Sequence, residues 1–112
     1  MKNESDIHFI CLQAIAASVS NNSIEWNRHA LERMMERGIS RSAVLDVVCT
    51  GEIIEQYPSD HPFPSALMLG NQAEIPLHVV VAFDPESETV FIITAYYPDI
   101  LHFHADFRTR RT

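Results

Sequence analysis

The sequence predicts an α+β fold in which N-terminal helices pack on one face of a small antiparallel sheet of about four strands. Two observations carry that prediction. Apolar residues recur at helical spacing as far as Gly51, and beyond it they alternate with a period of two. Glycines and prolines stand between these segments, where helices and strands have to stop. With 112 residues there is material for one hydrophobic core, so residues 1–112 are expected to form a single domain.

The first element is a helix over residues 5–19, where Ile7, Cys11, Ile15 and Val19 repeat every four positions. It stands apart from a core over residues 24–111 and is placed to cover a sheet edge or to pair two copies as a dimer. A polar break follows, and Ile24, Glu25 and Trp26 read as a short strand or an extended lead-in. Asn27 suits the N-cap of a second helix from Arg28 to Arg37, with Gly38 just past its end. Ser40 can cap a third helix through Ala43, Val44, Val47 and Val48, closed by Gly51.

Strands are then expected over residues 53–57, 66–69, 77–83 and 89–97. Pro58, Gly70 and the loop 84–88 mark their limits. Leu77, Val79, Val81 and Phe83 share one face of their strand, and Phe91, Ile93, Ala95 and Tyr97 can face the same way. That face is apolar throughout and should pack on the helices. On the opposite face the simplest register sets His78 across from Thr94 and diagonal to Tyr96.

The formal net charge is −7, which argues against indiscriminate nucleic-acid binding. The basic residues are seven Arg and one Lys, and they cluster. Arg28, Arg33, Arg37 and Arg41 form one group; Arg108, Arg110 and Arg111 form another; none lies between them. Arginine is favoured where a planar fork grips phosphate or carboxylate. The same residues can equally cap helices and pair with this chain's own acids. No apolar run reaches the ~18 residues of a spanning helix, and the N-terminal residues are acidic where a signal peptide is basic. A cytoplasmic protein is expected, with Cys11 and Cys49 as buried free thiols.

Three groups could carry chemistry. His29, Arg33 and Arg37 stand at i, i+4 and i+8, one stripe of the second helix. An imidazole can move a proton near neutral pH, and guanidiniums can stabilise a pentavalent phosphate. The stripe can also be a solvated face with Arg28–Glu32 and Arg33–Glu36 pairs. His78, Thr94 and Tyr96 form the second group, because a histidine in an apolar strand must hydrogen-bond to something. In the third, His102 and His104 with His61 or Asp106 could hold a metal on an extended tail. No third ligand is fixed by spacing, so no metal and no other cofactor is expected. There is no Gly-rich phosphate loop, no GxSxG elbow and no HExxH motif.

The blocks HALERMMERGIS (29–40), TGEIIEQYP (50–58), LHVVVAFD (77–84), VFIITAYYPD (90–99) and DFRTRR (106–111) together resemble a bacterial family, the domain of unknown function numbered 4258. The resemblance spans about residues 24–111. It implies a small toxin-like protein of RelE/barnase-like fold, distantly similar to the RelE and MqsR ribonucleases, with a zinc-finger antitoxin of the MqsA type as partner. His29, Arg33 and Arg37 match the family's H-x3-R-x3-R stripe, and His78, Tyr96 and Arg108 match its strand and tail positions. The implied activity is metal-independent cleavage of a single RNA strand on the open face of the sheet. His29 or His78 would serve as base and acid, with Thr94, Arg108 and Arg110 among the substrate contacts. A non-catalytic protein-binding module is the alternative reading of the same residues.

Overall fold

A computed structural model describes residues 9–112. Helix α1 (Leu12–Ser20) leads into strand β1 (Ile24–Trp26), followed by helices α2 (Arg28–Arg37) and α3 (Arg41–Thr50). Four strands follow: β2 (Glu52–Tyr57), β3 (Ser65–Gln72), β4 (Ile75–Asp84) and β5 (Thr89–Tyr96). They form one sheet of five strands in the order β1-β5-β4-β3-β2. From β2 to β5 each strand is antiparallel to its neighbour, while β1 runs parallel to β5 as Ile24, Glu25 and Trp26 pair with Val90, Phe91 and Ile92. The fold is thus α+β as predicted, with a fifth strand that three residues were too few to declare by alternation.

The helix ends follow their capping chemistry. The Asn27 side chain accepts hydrogen bonds from the His29 and Ala30 amides at 2.8 and 3.4 Å, and Gly38 ends α2 in the left-handed region at φ 70°. The Ser40 hydroxyl accepts from the Ala43 amide at 3.0 Å to start α3. The first helix is shorter than predicted. Of its expected span, residues 5–8 lie outside the described residues, and Phe9 to Cys11 are not helical. The Gln56 amide explains this: it accepts from the Ile10 N–H at 2.9 Å and donates to the Ile10 carbonyl at 2.8 Å. One side-chain amide thereby occupies both backbone groups of Ile10, whose side chain lies in the core.

The core lies between the helices and one face of the sheet. Ile15, Ala30, Met34, Val44, Val47 and Val48 pack on Ala66, Met68, Leu77, Val79, Val81, Phe83, Val90, Ile92 and Ala95. The α3 helix approaches β3 so closely that a Cβ on Gly70 would stand 2.7 Å from a Val47 methyl. The β4 part of the predicted face is correct, and so are Ala95 and Tyr97 of the following strand segment, but Phe91 and Ile93 are not on it. A bulge shifts the register between Val80 and Val81, so Val81 pairs with Ile92, Phe83 with Val90 and Val79 with Ala95. Phe91 therefore turns to the other face beside Ala82, and Ile93 becomes the extra, exposed residue. The same shift sets His78 opposite Tyr96, and Thr94 opposite Val80, in place of the His78–Thr94 pairing.

Cys11 and Cys49 are free but exposed, contrary to the expected burial. Cys11 occupies the N-cap of α1, outside the helical repeat, and Cys49 falls one residue past the buried Val47–Val48 pair. Among the described residues no helix is long and apolar enough to cross a membrane.

Candidate functional site

The second face of the sheet is covered by loop and tail. At one end Phe63 stacks on Phe91, ring centroids 5.4 Å apart. At the other end the tail, residues 98–111, folds back over β4 and β2. Asp99 begins this turn: one carboxylate oxygen accepts from the Leu101 and His102 amides at 2.9 and 3.0 Å. The same oxygen lies 2.9 Å from His102 Nδ1, and that imidazole holds the Asp99 carboxyl below its usual range. Asp106 caps the return turn, accepting from the Arg108 and Thr109 amides and the Thr109 hydroxyl, which bring its carboxyl down to about 2.

Two arginine forks then clamp the tail to β2. Arg108 reaches Glu52 through Nε and Nη2 at 3.1 and 2.6 Å, and Arg110 reaches Glu55 in the same way at 3.1 and 3.0 Å. Tyr57 donates its hydroxyl to the same Glu55 carboxylate. Hydrogen bonding from Arg110 outweighs burial and lowers the Glu55 carboxyl. The Arg110 guanidinium also lies over the Phe103 ring, 4.7 Å from its centroid.

Beneath this tail lies His78, with no exposed surface. Its Nε2 is 2.7 Å from the Phe107 carbonyl. A carbonyl only accepts, so Nε2 carries the hydrogen. Nδ1 is then a bare acceptor, and the Tyr96 hydroxyl 3.2 Å away donates to it. Phe103 meets the ring edge-on at 4.6 Å. Burial pushes the imidazole pKa down, against the Phe107 carbonyl and Glu55, which favour the cation. His78 is therefore a neutral imidazole with both nitrogens occupied.

Tyr96 is the point where the elements meet. It lines a depression of about 320 Å³ together with Pro98, Asp99, His102, Phe103 and Arg110. Burial raises its phenol pKa, and the charges of Arg110, Glu55, Arg37 and Asp99 all act on it. Arg37 arrives from α2, where Nη1 donates to the Ala95 carbonyl at 2.8 Å. That carbonyl lies on the stretch of β5 that β1 does not pair, so Arg37 covers an open strand edge.

Of the residues singled out in the sequence, Arg37, His78, Tyr96 and Arg110 are thus brought together. The others are not. His29 sits at the opposite end of α2, about 12 Å of helix away, with its side chain 84% exposed and 3.7 Å from Glu32. Arg33 lies midway, paired with Glu36 at 3.1 Å. Thr94 is two residues down β5, and Arg108 is engaged at Glu52. The tail metal grouping of His102 and His104 with His61 or Asp106 does not assemble: among the described residues no three His, Cys, Asp or Glu side chains gather as ligands. Sequence reasoning missed Glu55 and the Asp99–His102 contact. The second had a signal, since an Asp after Pro98 favours a turn in which its carboxylate meets the N–H groups two and three residues on.

No curated protein and no solved structure matches the chain. Residues 26–97 match the family described as Domain of unknown function (DUF4258). The match runs from the last residue of β1 to the residue after β5, and so takes in α2, α3 and the four antiparallel strands. The tail that covers His78 lies beyond it. With well over half its length matched, the chain belongs to the DUF4258 family.

Proposed function

We propose that this protein is a metal-independent endoribonuclease of the toxin–antitoxin kind, acting in the cytoplasm, with its site in the depression around Tyr96. One observation carries the reading: β5 and the tail each deliver a polar or cationic group to that depression, and the charge of Arg37 on α2 acts on Tyr96 from beside it. Arg110 supplies a guanidinium able to hold a phosphate, Tyr96 a phenol oxygen able to accept a ribose hydroxyl, and the turn an imidazole. His29 and Arg33 extend a polar stripe along α2 and give an RNA strand a path towards the pocket. Both of their contacts with glutamate are exposed and therefore easily exchanged for phosphate. His78, closed off from solvent, holds the Tyr96 hydroxyl and the tail in place. Such an activity calls for an antitoxin protein that covers the depression in the resting cell.

A protein-binding module without catalysis is favoured by a different observation, the occupation of Arg108 and Arg110 by this chain's own glutamates. Induced expression in a bacterial host separates the two. The nuclease reading expects growth arrest with RNA fragments ending in 2′,3′-cyclic phosphate, relieved by Tyr96→Phe and weakened by His29→Ala. Folded wild-type protein that leaves growth and RNA intact would replace it with the binding module.

A further inference from the structure

The Asp99–His102 pair has the geometry of an oriented base. The Asp99 oxygen is fixed by two backbone N–H groups, so the carboxylate is already in place before anything binds. Being an acceptor only, it takes the hydrogen of His102 Nδ1 at 2.9 Å. That selects the tautomer in which Nε2 carries the lone pair. The His102 side chain is 71% exposed, so Nε2 is open to a substrate. His78 differs on both counts, with both nitrogens bonded and no exposed surface. His29 differs on one, since its contact with Glu32 is 3.7 Å, too long for a hydrogen bond. Around His102 stand Tyr96 from β5, Asp99 of its own turn, and Arg110 and Phe103 from the tail. The Glu55 fork uses Nε and Nη2 of Arg110 and leaves Nη1 for a phosphate oxygen.

We propose that His102 is the general base of the RNA cleavage, with Asp99 as its positioning residue; this rests on the nuclease reading. His102 Nε2 takes the proton of a ribose 2′-hydroxyl, and the 2′-oxygen bonds to the adjacent phosphorus. The bond from phosphorus to the 5′-oxygen breaks, giving a 2′,3′-cyclic phosphate. The departing 5′-oxygen takes a proton from water, and the imidazolium returns its proton to solvent. Arg110 Nη1 holds a phosphate oxygen during the exchange, beside a Tyr96 hydroxyl whose hydrogen stays donated to His78 Nδ1. The substrate class is single-stranded RNA, because duplex RNA would not leave its 2′-hydroxyl free to swing in line.

The test uses the full chain with a single-stranded oligoribonucleotide, alone and in a bacterial translation extract, and the matching oligodeoxyribonucleotide as control. His102→Ala should lower cleavage about a hundredfold to ten-thousandfold, with part of the loss restored by added imidazole. Asp99→Asn keeps an acceptor oxygen but removes the charge, so it should slow kcat while leaving KM little changed. The deoxy strand should stay intact. Wild-type cleavage that His102→Ala leaves within twofold would overturn the role of His102 alone. A wild type that cleaves no RNA in either setting would overturn the nuclease reading and this inference together.

Discussion

A wholly buried imidazole must keep both ring nitrogens bonded, and His78 does so with the Phe107 carbonyl on one side and the Tyr96 hydroxyl on the other. The need for partners was legible in the sequence, where a histidine interrupts a strand of valines. The partners were not, because one comes from a tail 29 residues away and the other is set by a bulge. The consequence for stability has a definite sign. Burial places the folded pKa below the ordinary 6.5, so the unfolded chain binds the proton first. Stability is fully present above about pH 6.5 and is lost as pH falls towards the folded value. Urea denaturation of the wild type should therefore show a falling midpoint between about pH 7 and pH 5. In His78→Leu the overall midpoint should drop, because the Phe107 carbonyl and Tyr96 hydroxyl lose their partner at about 1–3 kcal/mol each. The fall across that pH window should flatten. An unchanged slope would mean that His78 titrates like a free histidine. The carboxylates lowered by Arg108, Arg110 and His102 act in a separate window, below their ordinary values near pH 4.

Among the elements, legibility followed how local the cause is. Asn27, Ser40 and Gly38 announce the limits of α2 and α3, because a cap is made between residues two or three positions apart. Strand β1 was ambiguous, since three residues show no period and its pairing to β5 is a tertiary event. The first half of the β5 face, Phe91 and Ile93, was misread for a subtler reason. Phe91, Ile92 and Ile93 are all apolar, so alternation cannot reveal where the bulge shifts the phase. Both faces are apolar because the stacked Phe63 covers one and the helices cover the other. The contact between α3 and β3 offers a direct check on the packing. Gly70→Val would place a branched side chain where even a Cβ meets Val47 at 2.7 Å. Overpacking of this kind costs about 1–3 kcal/mol, and the urea midpoint should fall accordingly. Shortening the neighbour in the double variant Gly70→Val/Val47→Ala should recover part of the loss, whereas strictly additive losses would place the strain elsewhere.

Charge is distributed over the whole molecule in a way that constrains how it could hold RNA. The net charge is −7, so the body repels a polyanion, and attraction must come from a few local arginines. Arg28, Arg33, Arg108 and Arg110 each already face a glutamate. Arg108 and Arg110 do so through bidentate forks that hold the tail, which makes them poor at releasing the carboxylate for a phosphate. Arg41 lies over the Trp26 ring, and Arg37 spends one donor on the Ala95 carbonyl. The phosphates neutralised along α2 and at the Tyr96 depression should therefore number about three, through Arg33, Arg37 and the free donor of Arg110. For single strands, the logarithm of the binding constant falls with the logarithm of salt at about 0.7 per neutralised phosphate. The slope should thus be about −2 for a non-cleavable 2′-deoxy analogue titrated between about 50 and 300 mM salt. Arg37→Gln should bring it closer to −1, while Arg108→Gln should leave it alone, because Arg108 serves Glu52 and not the ligand. A slope steeper than about −4 would mean that more of the arginines release their glutamates on binding. The tail would then have to come off β2 when RNA arrives, and His78 would be uncovered in the bound state.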